Sequence, residues 1–168
     1  MACSQTLAGI SRDCAANMGG IKVVYLANAA DVTSLTEASG AITAITMASS
    51  KKFYKYEFQP GTSSLSSNYA VNAENGTKYV ETDLLMVFNR MDTTKRLEIT
   101  AMAQGALVAI VEDNNGNMWY LGHDEPISLN AGDGLTGTAR ADRNGYSVTL
   151  RDTSVEMPMP FTGTVPLT

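Results

Sequence analysis

In one segment of the sequence, apolar and polar residues alternate so regularly that the pattern indicates a β-strand. The segment is Lys78–Arg90, KYVETDLLMVFNR. Most of its apolar side chains fall on alternate positions, which are Val80, Thr82, Leu84, Met86 and Phe88. Glu81 and Asp83 fall on the opposite parity. Because successive side chains of a strand point to opposite faces, the pattern predicts a long strand with one buried and one solvated face.

Further strands follow from β-branched and apolar runs bounded by turn residues. Lys51–Gln59 alternates as well, with Tyr54, Tyr56 and Phe58 on one face. The turn at residues 114–117 contains Asn-Gly, a strong hairpin signal because both residues tolerate positive φ. Residues 29–40 are predicted to be a polar connection. The other predicted strands are Ile21–Asn28, Ala41–Met47, Ala106–Asp113, Met118–Gly122, a run near Gly134–Ala141, and Tyr146–Asp152.

The segment Met91–Gly105 breaks the period of two and predicts the one helix of the chain. Asp92 or Thr93 is suited to cap its N-terminus, and Gly105 suits the position just past its end. The expected helix covers about residues 92–104.

These elements predict a mainly β protein that folds as a single domain over residues 1–168. We expect a β-sandwich or partly closed barrel with one flanking α-helix. Residues 1–19 are interpreted as an N-terminal arm, 20–156 as the β-sandwich core and 157–168 as an extended C-terminal extension.

A long polar stretch separates two of the strands. Phe58–Glu81, FQPGTSSLSSNYAVNAENGTKYVE, is rich in serine and glycine, whereas a hairpin needs only two to five residues to turn. One interpretation is a long loop over residues 60–76 that is disordered in a free monomer. The alternative is a small hairpin extension, with a bend at Pro60-Gly61 and a short strand at Asn68–Val71.

The composition narrows the class of protein. The formal net charge is −5, from 12 Lys and Arg against 17 Asp and Glu. This balance argues against a surface that grips nucleic acid, which needs clustered positive charge. The sequence has no run of about 18 apolar residues and no secretory signal pattern, so we expect assembly in a cytoplasm and no membrane partner. The two cysteines, Cys3 and Cys14, are then expected to be free thiols.

Motifs that suggest chemistry have better structural interpretations. Gly132–Gly137, GDGLTG, has the dinucleotide-binding spacing, but a strand, a turn and a strand follow it where that site needs a helix. Counted from Asp113, Gly116 is at position four rather than the position six of a calcium loop. His123 is the only histidine, and no nucleophile motif accompanies it.

The sequence therefore predicts no catalytic, cofactor-binding or metal site, and a non-enzymatic binding or assembly protein. Two cysteines and one histidine do not make a metal cluster. Trp119 and Tyr120 follow a tight turn, where packing in a core or interface is their commoner role.

The chain has a strand ending at Gln59, a long polar stretch, a returning strand, one capped helix and a closing set of hairpins. This order of elements resembles the tail tube protein of long-tailed bacteriophages and contractile injection systems. The resemblance covers about residues 20–156. It implies a virion tail component, assembled in the host cytoplasm, whose subunits form stacked and usually hexameric rings. It also implies a central channel through which DNA passes, and contacts with other copies and other tail proteins.

The resemblance implies that the polar stretch contacts a neighbouring subunit. The expected contact residues are Pro60, Gly61, Ser63, Leu65, Asn68, Tyr69, Val71 and Asn75. Glu81 and Asp83 are expected to face the channel. Other interpretations are a tail terminator, a head-tail connector, a capsid decoration protein, or a β-sandwich that binds a ligand such as a sugar through Trp119 and Tyr120.

Overall fold

The structure, a computed structural model, describes residues 6–167 and contains two β-sheets and one α-helix. The strands are β1 (Ile21–Asn28), β2 (Val32–Ala38), β3 (Ala41–Met47), β4 (Tyr54–Glu57), β5 (Ser64–Asn72), β6 (Thr77–Asn89), β7 (Leu107–Asp113), β8 (Met118–Leu121), β9 (Ser128–Leu135), β10 (Gly145–Ser154) and β11 (Met159–Phe161). Helix α1 is Thr93–Gln104, and a short 3-10 helix covers Ala29–Asp31.

The two sheets form a sandwich, as the sequence predicts. Strands make up 51% of the chain and helices 9%, so the protein is mainly β. The larger sheet has the order β2-β3-β11-β8-β7-β1-β4, and the smaller has the order β5-β6-β10-β9. Neither closes into a barrel. The pairs within the smaller sheet are all antiparallel.

The main core lies between the inner faces of the two sheets. The larger sheet contributes Val24, Leu26 and Val111, and the smaller sheet contributes Leu84 and Leu150. The inner parity of β6 is the one that the alternation predicts: Val80, Thr82, Leu84 and Met86 are at most 1% exposed. Their burial fixes which face of the smaller sheet is left to solvent.

A second core covers the other face of the larger sheet. There Tyr25 of β1 and Ile110 of β7 pack with Ile42, Phe53 and Phe161. Strands β1 and β7 are consequently buried on both faces. This explains why their sequences, IKVVYLAN and LVAIVED, begin as nearly continuous apolar runs instead of alternating.

Helix α1 begins and ends where the sequence predicts. Asp92 caps its N-terminus, since the backbone N–H of Lys95 donates to Asp92 Oδ1 at 2.8 Å. Gly105 follows its last residue. Met102 and Ile99 attach the helix to the main core, so α1 packs at the flank of the sandwich. No helix within residues 6–167 combines the length and hydropathy needed to span a membrane.

Two predictions for local structure are wrong. The polar connection at residues 29–40 contains β2, which pairs with β3 over most of its length. The strand expected near Gly134–Ala141 lies earlier, at Ser128–Leu135. Residues 138–142 turn instead, because the Asp142 carboxylate accepts hydrogen bonds from the backbone N–H groups of Thr138 and Ala139 at 2.8 and 2.7 Å.

The C-terminal extension is also more than an extended tail. Residues 159–161 form β11, which lies between β3 and β8 in the larger sheet and pairs with β3 in parallel. Phe161 is 3% exposed and belongs to the second core. The burial of this aromatic side chain overrides the unfavourable strand propensity of Pro160, the middle residue of β11, and of Pro158 before it.

The long loop over residues 60–76 is replaced by a hairpin, which was the alternative interpretation. Strand β5 covers far more than Asn68–Val71 and pairs with β6 at every position from Ser64↔Leu85 to Asn72↔Thr77. Leu65 packs against the main core, and the hydroxyls of Ser67 and Thr82 are hydrogen-bonded at 2.9 Å. A serine-rich segment becomes a strand here because β6 supplies a fixed partner, and this pairing needs no second chain.

Candidate assembly surfaces

The outer face of the smaller sheet is a polar surface of short side chains. Strand β10 contributes Ser147, Thr149 and Thr153 to this face. Strand β5, on the other side of β6, contributes Ser64, Ser66 and Asn68. The charged residues of this face are Glu81 and Asp83 of β6, Asp133 of β9 and Arg151 of β10. The Arg143 guanidinium also reaches this face from the loop after β9, 3.4 Å from Asp133 Oδ1, so three carboxylates meet two guanidinium groups. The larger apolar side chains of β6 on this face are Leu85, which is half-buried, Val87, which is buried, and Tyr79, which is 41% exposed.

Glu81 and Asp83 lie on this face, as their parity predicts, and Arg151 lies between them. Its guanidinium donates two hydrogen bonds to Asp83, from Nε at 2.8 Å and Nη2 at 2.9 Å. Glu81 is more distant, with 3.8 Å between its Oε1 and Arg151 Nη1. The hydrogen bonds from Arg151 lower the pKa of Asp83, so this carboxylate stays ionised to lower pH than a free one.

The two edges of the smaller sheet are open. Within residues 6–167, β5 and β9 each have a hydrogen-bonded neighbour on one side only. Because consecutive strands are antiparallel and the sheet has four of them, β5 and β9 run in opposite directions. The side chains along both edges are mostly exposed.

Strand β5 lacks the features by which proteins protect an edge. Its nine residues, SLSSNYAVN, contain no charged residue and no proline. Its register with β6 continues without a bulge, whereas β9 has an irregularity opposite Thr149/Leu150 and the edge strand β2 has two. A long, flat, uncharged edge offers its unpaired N–H and C=O groups to another strand.

The β5–β6 hairpin projects beyond the sandwich. Strand β10 ends at Ser154, opposite Val80, but β5 and β6 continue for three more residue pairs to Asn72↔Thr77, which is about 10 Å of additional strand. This tip exposes Val71 by 68%, and the Lys78 ammonium lies 5.1 Å from the centre of the Tyr69 ring. The tip turns at residues 73–76, where Asn72 Oδ1 accepts two backbone N–H groups.

The N-terminal arm is attached at its base only. The backbone N–H of Met18 donates to Asn115 Oδ1 at 2.8 Å, and Asn114 Nδ2 donates to the Gly19 carbonyl at 2.7 Å. Both asparagines belong to the β7–β8 turn. Residues 6–20 are exposed throughout and contain no helix or strand, and Leu7 and Ile10 are almost fully exposed. An apolar pair of this kind is free to contact another surface.

The expected contact residues divide into two groups. The first group is mostly exposed and lies along β5, at the hairpin tip and at the bend before β5. Its members are Asn68, Tyr69, Val71, Asn75, Pro60 and Gly61. Ser63 and Leu65 instead make contacts within the chain itself. Ser63 is 5% exposed, and its hydroxyl accepts the backbone N–H of Val87. Leu65 packs against the main core.

The motifs that suggested chemistry are parts of turns and strands. Gly132–Gly137 is the end of β9 and the start of the following loop. Asp113 organises the β7–β8 turn, since its Oδ1 accepts the backbone N–H groups of Asn115 and Asn117. Trp119 is half-buried on β8, with its indole N–H directed to Asp113 Oδ2. No group of three or more His, Cys, Asp or Glu residues in the described part of the chain is arranged to hold a metal ion.

Sequence reasoning missed three features: the partnership of Arg151 with Asp83, the full length of edge strand β5, and the position of edge strand β9. The outward parity of Arg151 was visible in YSVTLRD, but its pairing depends on the register between β6 and β10. The absence of Pro and charge from SLSSNYAVN was also visible.

No family model, no curated protein and no solved structure matches this chain.

Proposed function

We propose that the chain is a virion structural protein, a tail tube subunit that forms stacked rings around a channel for DNA. The observation that carries this proposal is β5, a nine-residue edge strand with no charge, no proline and no bulge. An unprotected edge of this length is a template for pairing with another chain. A protein that keeps such an edge avoids aggregation when a defined partner covers it.

The partner edge that we propose is β9 of the next copy. Since β5 and β9 run in opposite directions, a copy placed beside the first by rotation presents its β9 antiparallel to β5. Head-to-tail contacts of this kind close into a ring when the rotation divides a full turn evenly. The smaller sheets then join into one barrel without edges, of about 24 strands for six copies.

The outer face of the smaller sheet fits the wall of such a channel. Five of its side chains are short and hydroxylated, and its three carboxylates outnumber the two guanidinium groups that contact them. Phosphate groups bind to clusters of Lys and Arg, and release from such clusters is slow in low salt. A wall with excess negative charge instead lets DNA pass without binding. Glu81 and Asp83 would be members of this wall.

Contacts between rings are assigned in this proposal to the hairpin tip and the N-terminal arm. The tip projects about 10 Å beyond β10 and exposes Val71, and Tyr69 is exposed at its base. The arm exposes Leu7 and Ile10. Burial of these apolar side chains against a stacked ring would offset the entropy of ordering both segments.

The oligomeric state tests the proposal directly. Size-exclusion chromatography with light scattering should give rings at high protein concentration, and negative-stain microscopy should show hollow tubes of constant diameter. Single rings that never extend would favour a tail terminator or connector. A monomer that persists at high concentration over a range of salt would contradict the assembly proposal.

A pair of proline variants tests the edge itself. Backbone N–H groups of a strand point alternately toward and away from its neighbour, so of Asn68→Pro and Tyr69→Pro only one removes an N–H that points outward. That variant should keep the monomer's melting temperature and abolish rings. The other variant should have a lower melting temperature or no melting transition at all. Rings that form equally well in the stable variant would exclude β5 as the contact.

A further inference from the structure

A cavity of about 230 Å³ lies beside the end of β10. Its acidic lining residues are Asp124, Asp152 and Glu156. Its apolar wall is formed by Val155, Met157 and Met159. Small-molecule sites usually measure about 300–1,000 Å³, so this cavity has room for one side-chain-sized group rather than a larger ligand.

Asp152 is a buried carboxylate with an unused oxygen. It is 3% exposed, and its Oδ1 has no hydrogen-bond partner among the described residues. Burial raises the pKa of Asp152 to about 6, and the nearby backbone N–H of Gly122 only partly offsets this rise. At neutral pH the group is therefore mainly an anion whose Oδ1 lacks a donor. A buried anion of this kind is costly unless a cation or donor meets it.

The histidine beside the cavity is already engaged. His123 Nδ1 is 2.9 Å from Asp124 Oδ1, and His123 Nε2 is 2.7 Å from Glu37 Oε1. With both ring nitrogens bonded to carboxylates, the imidazole has no lone pair to offer to a metal ion. Even a protonated His123 leaves an excess of negative charge, since Glu37, Asp124, Asp152 and Glu156 surround it.

We propose that this cavity binds one organic cation, an ammonium or guanidinium group on an aliphatic stem. The charged end carries several N–H donors and would offset the charge of the Asp152 carboxylate, with Asp124 and Glu156 adding attraction. The stem would lie against Val155 and Met157, which are 67% and 46% exposed. This proposal does not depend on ring assembly.

The first experiment uses n-butylammonium chloride as the probe, titrated into the ¹⁵N-labelled full chain at pH 7.5 and followed by NMR. Saturable shifts are expected at the backbone amides of Gly122 and Val155. Neutral n-butanol, and sodium chloride at the same concentration as the probe, are the controls and should leave these amides unshifted. Shifts of the same size with either control, or shifts spread evenly over exposed acidic residues such as Asp133, would overturn the proposal.

Two variants identify the groups that bind. Asp152→Asn keeps the shape and an oxygen for Gly122 but removes the charge, and it should weaken binding at least about tenfold. Glu156→Gln lies in an exposed segment and leaves the core intact, so it keeps the test decisive if Asp152→Asn does not fold. It should weaken binding about two- to threefold. Unchanged affinity in a folded Asp152→Asn variant, or in Glu156→Gln if that is the only one that folds, would refute the site.

The source of the cation is distinguished by two further probes. Acetyl-Gly-Lys-Gly-amide presents a lysine side chain as a partner protein would, and spermidine represents a free amine. Tighter binding of the tripeptide supports capture of a side chain from another protein molecule, and tighter binding of spermidine supports a small-amine site. If neither binds and n-butylammonium also fails, the cavity holds only water.

Discussion

Arg151 of β10 lies directly opposite Asp83 of β6 and donates two hydrogen bonds to its carboxylate at 2.8 and 2.9 Å. This cross-strand pair ties the two central strands of the smaller sheet together on its outer face. The geometry is bidentate, which favours an arginine over a lysine at this position. The pair also leaves Glu81 as the less neutralised carboxylate of the face.

The Asp83–Arg151 pair should contribute little to stability in high salt. Both side chains are about one-third exposed, so solvent and salt screen their attraction. We expect a double-mutant cycle of Asp83→Asn and Arg151→Gln, measured by urea unfolding, to give a small coupling that vanishes in 1 M NaCl (about 3 Å screening length). The single-bonded pair Arg143–Asp133, at 3.4 Å, is the matched control and should couple less. A large coupling that survives salt would contradict this prediction.

Acid should remove the Asp83 contribution in a defined direction. The folded-state pKa of Asp83 is lowered by Arg151, so the stabilisation is fully present above the unfolded value of 3.8 and is lost as the pH falls through the folded value. The loss of stability between pH 4 and pH 2 should therefore be shallower in Asp83→Asn than in the unmodified chain. An unchanged slope would indicate that the carboxylate is not paired in solution.

Replacement of Asp152 should stabilise the subunit at neutral pH. Its pKa rises from 3.8 to about 6 because of burial, so the folded state binds the proton more tightly than the unfolded state. Stability then falls as the pH rises from about 4 to above 6, by up to about 3 kcal/mol. Asp152→Asn should flatten that fall and raise the unfolding midpoint at pH 7.5 in amine-free buffer. A lower midpoint would show that the charge is already compensated.

His123 should titrate at higher pH than a free histidine. Glu37 and Asp124 raise its pKa above the usual 6.5, so its stabilisation is present below 6.5 and is lost as the pH rises through the folded value. The chain has one histidine, so a single imidazole signal in an NMR titration reports this pKa. Glu37→Gln should move the titration back toward 6.5. Glu125→Gln is the control and should move it less.

Two substitutions on β5 should separate folding from assembly. Leu65 packs against the main core, and Leu65→Ala should lower the free energy of unfolding by about 2 kcal/mol, the low end for a buried leucine because the side chain is half-buried. Val71 is 68% exposed, so Val71→Ser should leave the unfolding midpoint unchanged. Under the assembly proposal, Val71→Ser should nevertheless raise the concentration needed for tubes. Equal destabilisation by both variants would contradict the projecting hairpin.

Elements with their own local signal could be predicted from the sequence. The apolar run Ile21–Asn28 is β1, with the expected bounds. Asp92 caps α1 because its carboxylate accepts a hydrogen bond from a backbone N–H group of the first turn, which has no partner within the helix. Strands β5 and β11 could not be predicted with the same ease. One is rich in serine and the other in proline, and each is a strand because a distant partner holds it. The outward parity of Glu81 and Asp83 followed from alternation, but their arginine neighbour required a register that no local pattern encodes.

The position of β11 has a consequence for synthesis. Strand β11 is the link between the β2–β3 hairpin and the strands β8, β7, β1 and β4. A nascent chain whose residue 161 is still inside the ribosome therefore carries the larger sheet as two unconnected pieces, with β3 and β8 both bare. Such a chain exposes to solvent the apolar side chains that Phe161 covers in the folded protein, so we expect chaperones to bind it until residue 161 has left the ribosome.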